Sequence, residues 1–424
     1  MQTYLEWIEK LSFQRYGGTA EEDRAADFLL QEIRALGGQG EKMPFWVDAP
    51  VPEEASVAVC APWQETLESI PFGLSGSLPA GGVTLKLRYL ERGDAMDFLG
   101  VGDLSDSVVL LNALTLDAYK RLVEHHAGAF LIMDGMYYDD MDSGSLYPKN
   151  LRPRFLEQGR IPGFQITSAD ATRLVQRQAQ SLHVCLRQKE RRNPSRNVLA
   201  LIPGESEESI VLTAHYDSVP MGTGAWDNAT GTAALMGIYR YFLAHPPKRT
   251  LRFIWCGAEE QGLLGSKAYI KEHEAQLASI KFCFNFDMCG TALGPNMIFV
   301  TGGDDLETFV RQFAKEQGYS AEITRRVHSS DSAPFADRGV PAVGLSRGTS
   351  TAKIHTRWDR IALLDERAME RNVAFAVRMI DRMSNAAVLP VETGMPEDMR
   401  KALDQYFQRE PEQTEKNREG ARGR

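Results

Sequence analysis

Ile210-Val-Leu-Thr-Ala-His215-Tyr-Asp217-Ser218 decides how the rest of the chain is read. An apolar run without polar interruption predicts a strand buried on both faces, and such strands belong to largely parallel sheets covered by helices. The same rhythm continues downstream: a helix over Thr230–Leu243, strands over Leu251–Trp255 and Ile280–Phe286 separated by a helix at Ser266–Glu274, then Met297–Val300, a helix at Leu306–Gln317, Pro341–Leu345 and a long helix at Glu366–Met383. Strand–helix alternation of this kind predicts an α/β fold with a mostly parallel central sheet flanked by helices.

Working upstream, Leu5, Ile8 and Leu11 fall at helical spacing. Thr19-x-x-Glu22 then reads as a capping box ahead of a second helix that Gly37-Gly38 ends. Residues 55–190 form their own series: strands at Val83–Leu87, Ser107–Leu111, Ala129–Met133, Ile161–Ile166 and Leu182–Leu186, helices at Asp117–His126 and Ala169–Gln178, and a long loop at Tyr137–Pro148. The expected organisation is one discontinuous domain, 1–54 with 191–390, a smaller inserted α/β domain at 55–190, and an extension at 391–424 whose charged end, Arg409–Arg424, is read as disordered.

Composition narrows the class. The chain has 424 residues, 43% hydrophobic and 25% charged, with 48 basic and 57 acidic side chains and a net charge of −9. That is a folded globular protein without the basic field that nucleic acid or an anionic membrane requires. The five cysteines contain no Cys-x-x-Cys, which excludes a zinc ribbon and a thioredoxin-like pair. Acidic residues near the start, and no apolar run approaching the ~18 residues of a membrane span, lead us to expect a cytoplasmic protein with no membrane partner. Oligomeric state is not readable.

In sheets of this type functional groups collect beyond the carboxyl ends of the strands. Read in turn, those positions supply His215 and Asp217, then Gly224-Ala-Trp-Asp227-Asn228, Gly257-Ala-Glu259-Glu260, Asp287, and Ile354-His355-Thr356. Buried carboxylates cost several kcal/mol each unless a cation accompanies them, and no Arg or Lys lies at these strand ends. One or two divalent metal ions resolve the imbalance. Mixed imidazole and carboxylate donors suit zinc, with cobalt or manganese as alternatives. Adjacent Glu259 and Glu260 point different ways, so one serves as ligand and the other as general base toward a metal-activated water. Asp217, two residues from His215, is placed to receive its second ring N–H.

Each of these residues taken singly has a plainer reading as a cap, turn or surface group, and His125, His126, His183, His245, His273 and His328 are read that way. Other motifs fail. Gly344-x-Ser346-x-Gly348 resembles a nucleophile elbow, but the only later histidine is His355, with no acid between them. Gly257-x4-Gly262 lacks the Lys-Ser/Thr of a phosphate loop, and no His-Glu-x-x-His occurs.

The set His215-x-Asp217-Ser218, Gly224-Ala-x-Asp227-Asn228-x-x-Gly231, Glu259-Glu260-x-Gly262-Leu-x-Gly265-Ser266, Asn285-x-Asp287-Met288 and His355-Thr356-x-x-Asp359 resembles the dizinc aminopeptidase family, which also includes glutamate carboxypeptidase and glutaminyl cyclases. The resemblance covers about residues 195–390 and the N-terminal helices. Residues 55–190, with Gly128-Ala129 and Ile161-Pro162, resemble the protease-associated domain often inserted in this family. The resemblance implies two zinc ions, one held by His215 and Asp287, the other by Glu260 and His355, with Asp227 bridging. It implies Glu259 as general base, Asp217 as the residue orienting His215, and a peptide as substrate. Ser330-Asp331-Ser332 resembles a family motif that usually ends in histidine. A carboxypeptidase of the same fold, with Arg347 or Arg357 holding a terminal carboxylate, a one-zinc glutaminyl cyclase and a non-catalytic binding module are the alternatives.

Overall fold

The computed structural model describes residues 2–134, 146–349, 354–392 and 394–407. Most of the loop expected at Tyr137–Pro148, and all of the tail from Arg409, lie outside these residues. The chain forms two compact units, Met1–Trp46 with Pro194–Arg424, and Val47–Asn193.

In the first unit eight strands of the described residues form one sheet, in the order Gly40–Asp48, Arg192–Ile202, Arg249–Cys256, Ser206–His215, Ile280–Phe286, Ala342–Arg347, Asn296–Thr301, Glu322–Arg325. The four from Arg249–Cys256 to Ala342–Arg347 run parallel. The flanks are mixed: Arg192–Ile202 and Asn296–Thr301 pair antiparallel with their inner neighbours. The link from Phe286 to Asn296 contains no helix, and a chain that returns without a crossover helix runs antiparallel.

Continuous apolar runs are explained by what covers them. Ile210, Leu212, Phe253, Trp255, Phe282 and Phe284 pack on one face with Leu235, Tyr239 and Met379. Val211, Ile254, Cys283 and Ala342 pack on the other with Tyr269, Ile270 and Phe335. The helix Thr230–Ala244 is buried at every position from Thr230 to Tyr239, which accounts for its near absence of charge. The helix Glu366–Asn385 is amphipathic. Asp365 caps it through the Ala368 amide (2.9 Å), and Glu366 accepts the amides of Tyr4 (2.9 Å) and Leu5 (2.8 Å). The long helix therefore satisfies the first turn of the helix Tyr4–Leu11 and docks it.

Thr19 caps the helix Ala20–Ala35 as expected, through the Glu22 amide, but the box is not reciprocal. The Glu22 carboxylate turns inward, accepting the Gly18 amide (2.7 Å) and the Ser195 hydroxyl (2.7 Å). Burial, with Asp217 adding to it, pushes this carboxyl from 4.5 up to about 8. The folded state thus keeps a proton that the unfolded chain releases. That contribution to stability is present at low pH and is lost as pH rises from about 4.5 to about 8. Glu22→Gln should remove the dependence. Its urea midpoint relative to the parent should improve between roughly pH 5 and pH 8.5; a difference that does not move with pH rejects this origin.

The unit Val47–Asn193 holds nine strands of the described residues, in the order Glu65–Thr66, Val51–Ala61, Ser181–Lys189, Val83–Tyr89, Ser107–Leu111, Ala129–Asp134, Gly163–Thr167, Ser69–Gly73, Lys149–Asn150. The four from Val83–Tyr89 to Gly163–Thr167 are parallel. One core gathers Val108, Leu110, Leu131 and Phe164, and another Val109, Leu111, Phe130 and Tyr119, so this sheet too is covered on both faces. Among the described residues no helix is long and apolar enough to cross a membrane.

Candidate metal centre

His215 is the last residue of the strand Ser206–His215 and is almost fully buried. Its carbonyl accepts the Thr232 hydroxyl (2.8 Å), tying the strand end to the buried helix. Asp227 lies in the turn before that helix, and its peptide bond to Asn228 is cis. The Asn228 side chain accepts the amides of Gly231 (2.8 Å) and Met288 (3.0 Å) and donates to the Phe286 carbonyl (2.9 Å). The turn bearing Asp227 is thereby hooked to the strand end bearing Asp287.

Asp359 fixes the same turn from the opposite side. Its carboxylate accepts the amides of Trp226 (2.6 Å) and Asp227 (3.0 Å), and its carbonyl accepts the Thr223 hydroxyl (2.7 Å). Asp217, fully buried, accepts the amides of Glu259 (3.0 Å) and Glu260 (3.2 Å). It lies 3.5 Å from His215 Nδ1, an atom that has no hydrogen-bond partner among the described residues. Its closer partners are the two glutamate amides, so it positions that doublet as well as standing beside the imidazole.

These supports bring the strand-end side chains together. His215 Nε2 is 3.2 Å from Asp227 Oδ1 and 3.5 Å from Asp287 Oδ1. His355 Nε2 is 3.2 Å from Asp227 Oδ2 and 3.0 Å from Glu260 Oε2. Donor atoms of His215, Asp227 and Glu260 lie within 4.8 Å of one another. Asp227 therefore stands at the middle, with one oxygen turned to each imidazole. Glu259 is coupled to this cluster electrostatically: its carboxyl feels His215, Glu260 and Asp287, and also Asp331.

The electrostatics describe a cluster short of positive charge. Burial disfavours the imidazolium of His355, yet Asp227 and Glu260 outweigh burial and lift its pKa to about 11. Burial, reinforced by Asp227, raises Glu260 to about 7 against the pull of His355. Burial also drives Glu259 well above the carboxylate range, with His215 opposing and Glu260 adding. Among the described residues, Glu260 Oε1 and Asp287 Oδ1 are buried without a hydrogen-bond partner. Unpartnered buried oxygens beside imidazole nitrogens fit divalent metal ions, which supply the missing charge and accept these donors.

One cation escaped the reading of strand ends. Arg15, fully buried, comes from the segment between the first two helices and electrostatically faces Asp217, Asp359, Asp227 and Glu260. Its guanidinium donates to the carbonyls of Leu11, Phe13 (2.7 Å), Tyr216 (2.6 Å), Thr223 (2.8 Å) and Gly224 (3.0 Å). An arginine bonded to carbonyls alone leaves no charge-pair signature in sequence. Arg347, considered above for a substrate carboxylate, is committed elsewhere: it is buried and donates to the Thr291 carbonyl (2.5 Å), Asn296 Oδ1 (2.9 Å) and the Ala292 carbonyl (3.2 Å). Of the histidines read as structural, His245 and His273 stack on Tyr241 and Tyr269, and His328 stacks on Phe299.

Comparison with known proteins shows what the chain is similar to. The chain is similar to Aminopeptidase YwaD of Bacillus subtilis, 26% identical over 346 residues, spanning 79% of this chain and 72% of that protein. It is also similar to Leupeptin-inactivating enzyme 1 of Streptomyces exfoliatus, 34% identical over 212 residues, 43% of this chain and 47% of that one. The fold is shared with the solved structure of BSAP, a zinc aminopeptidase from Bacillus subtilis, at a TM-score of 0.76 and 22% identity, covering 94% of this chain and 98% of that one. Residues 197–380, which carry every one of the converging side chains, match peptidase family M28.

Proposed function

We propose that the protein is a zinc-dependent aminopeptidase that removes N-terminal residues from peptides. The observation that carries this reading is Asp227, one carboxylate oxygen 3.2 Å from His215 and the other 3.2 Å from His355. In this reading His215 and Asp287 would hold one zinc ion, Glu260 and His355 would hold a second, and Asp227 would be shared between them; cobalt or manganese could use the same donors. Zinc bound there supplies Lewis-acid polarisation of the scissile carbonyl and lowers the pKa of water toward neutrality. Glu259 takes the proton from the attacking water and returns it to the leaving amine. Asp217 keeps Glu259 and Glu260 in place through their amides. An aminopeptidase is favoured over a carboxypeptidase by the similarity to YwaD and by the commitment of Arg347 to the fold.

We read the unit Val47–Asn193 as a protease-associated-like domain; its parallel strands, Gly128-Ala129 entering one and Pro162 another, support that. The test of the main reading joins metal analysis to substrate choice. The purified protein should hold about two zinc ions per chain. It should hydrolyse leucyl p-nitroanilide but not the N-acetylated compound, and lose activity on chelation until zinc is restored. Cleavage of N-blocked peptides, or full activity after chelation, overturns it.

A further inference from the structure

Trp358 is an exposed large side chain (51%) between two arginines. The Arg357 guanidinium is 4.9 Å and that of Arg360 5.4 Å from its ring centroid, both within cation–π range. Arg360 Nε also donates to the Arg357 carbonyl (2.8 Å), so the three residues form one local unit. The fold holds that unit through a residue before it and one within it. Three residues before Trp358, His355 reaches Asp227 and Glu260; one residue after it, Asp359 is bonded to the amides of Trp226 and Asp227. A platform carrying two positive charges is thus built onto the segment that frames an otherwise acidic centre.

The chain between them fixes the reach. Consecutive Cα atoms are about 3.8 Å apart, so the Trp358 backbone lies no more than roughly 11 Å from that of His355. An extended peptide advances about 3.3–3.6 Å per residue, so a group one to three residues beyond the bond being cut falls within that span. A guanidinium within cation–π distance of an indole keeps the planar fork of N–H donors with which arginine recognises a carboxylate.

Resting on the aminopeptidase reading above, we propose that Arg357, Trp358 and Arg360 form a subsite for a substrate carboxylate, and that the enzyme prefers di- and tripeptides with a free C-terminus. The same chemistry accepts an acidic side chain near the cut, and the two sources can be separated.

The experiment compares Leu-Gly-Gly with its C-terminal amide, and both with Leu-Glu-Gly amide. The parent should cleave the free acid with a kcat/KM about tenfold above the amide, most of it in KM. In Arg357→Gln/Arg360→Gln the ratio of acid to amide should fall toward one, and in Trp358→Ala it should fall partway. If Leu-Glu-Gly amide alone gains over Leu-Gly-Gly amide, and does so only with the arginines present, the carboxylate subsite stands with the side chain as its source. An acid-to-amide ratio near one in the parent with no gain from Glu, or a ratio unchanged in the double variant, overturns the subsite. The parent ratio needs no variant, so a double variant that fails to fold does not remove the test. If no peptide is hydrolysed, the function above fails instead. Tryptophan fluorescence titrated with Leu-Gly-Gly and its amide then still decides the subsite: tighter binding of the acid supports it, and equal binding overturns it.

Discussion

Glu259→Gln should lower kcat by roughly 10²–10⁴-fold while the protein keeps its zinc. The substitution preserves side-chain length and shape, and the hydrogen bond that the backbone amide of residue 259 donates to Asp217 survives. The groups we assign to metal binding, His215, Asp227, Glu260, Asp287 and His355, are untouched. What disappears is a buried carboxyl that is neither assigned to the metals nor bonded to an amide pair. KM should change little, because a base acting in the transition state contributes little to ground-state binding. Zinc content by elemental analysis and steady-state kinetics on leucyl p-nitroanilide check both halves. Activity within threefold of the parent removes Glu259 from the role of base. Loss of zinc together with activity would place it among the ligands.

The order of the helices and the buried strands was readable because a parallel sheet covered on both sides leaves no room for polar interruption. Ile210–Thr213, Leu251–Trp255 and Ile280–Phe286 show it, and each runs into an acid or histidine visible at its end. The strands Gly40–Asp48 and Arg192–Ile202 were not readable: they lie toward the sheet's edge, half exposed, and the first carries Lys42 and Pro44. Antiparallel flanks follow from pairing partners distant in sequence, which local pattern does not reveal. At the centre, the side chains with titratable chemistry were legible, whereas what holds them was less so. Asp359 and Asn228 act on backbone amides, and Asp217 grips two amides some forty positions further on. Glu22 read as a cap because its spacing from Thr19 is right, and only burial against Ser195 redirects its carboxylate.

Arg15→Met should destabilise the metal-free protein by several kcal/mol, and Arg15→Lys should recover the charge without recovering the site. The guanidinium reaches five carbonyls on three stretches of chain: Leu11 and Phe13 from the N-terminal segment, Tyr216 from the strand end after His215, and Thr223 and Gly224 from the turn before Asp227. Each buried carbonyl left without a donor costs about 1–3 kcal/mol, and methionine offers none. The guanidinium is packed closely against the turn: a Cβ on Gly224, at φ +58°, would come within 2.9 Å of Arg15 Nη2. Burial lowers the Arg15 pKa to about 10 and Asp217 and Asp359 support the charge, so the group is cationic at neutral pH. Lysine keeps that charge but is a single compact donor group and cannot bridge the strand end and the turn together. Zinc binding should then separate the two contributions. If Arg15 acts only through its charge, Arg15→Lys should bind zinc as the parent does. If it sets the spacing of His215 and Asp227, Arg15→Lys should show weaker zinc affinity in competition with a chelator and a lower kcat even where it is folded. Urea unfolding must be followed without metal, because bound zinc would mask the loss by mass action. Parent-like unfolding of Arg15→Met would mean that the carbonyls find other donors and that the clamp is not what holds the turn.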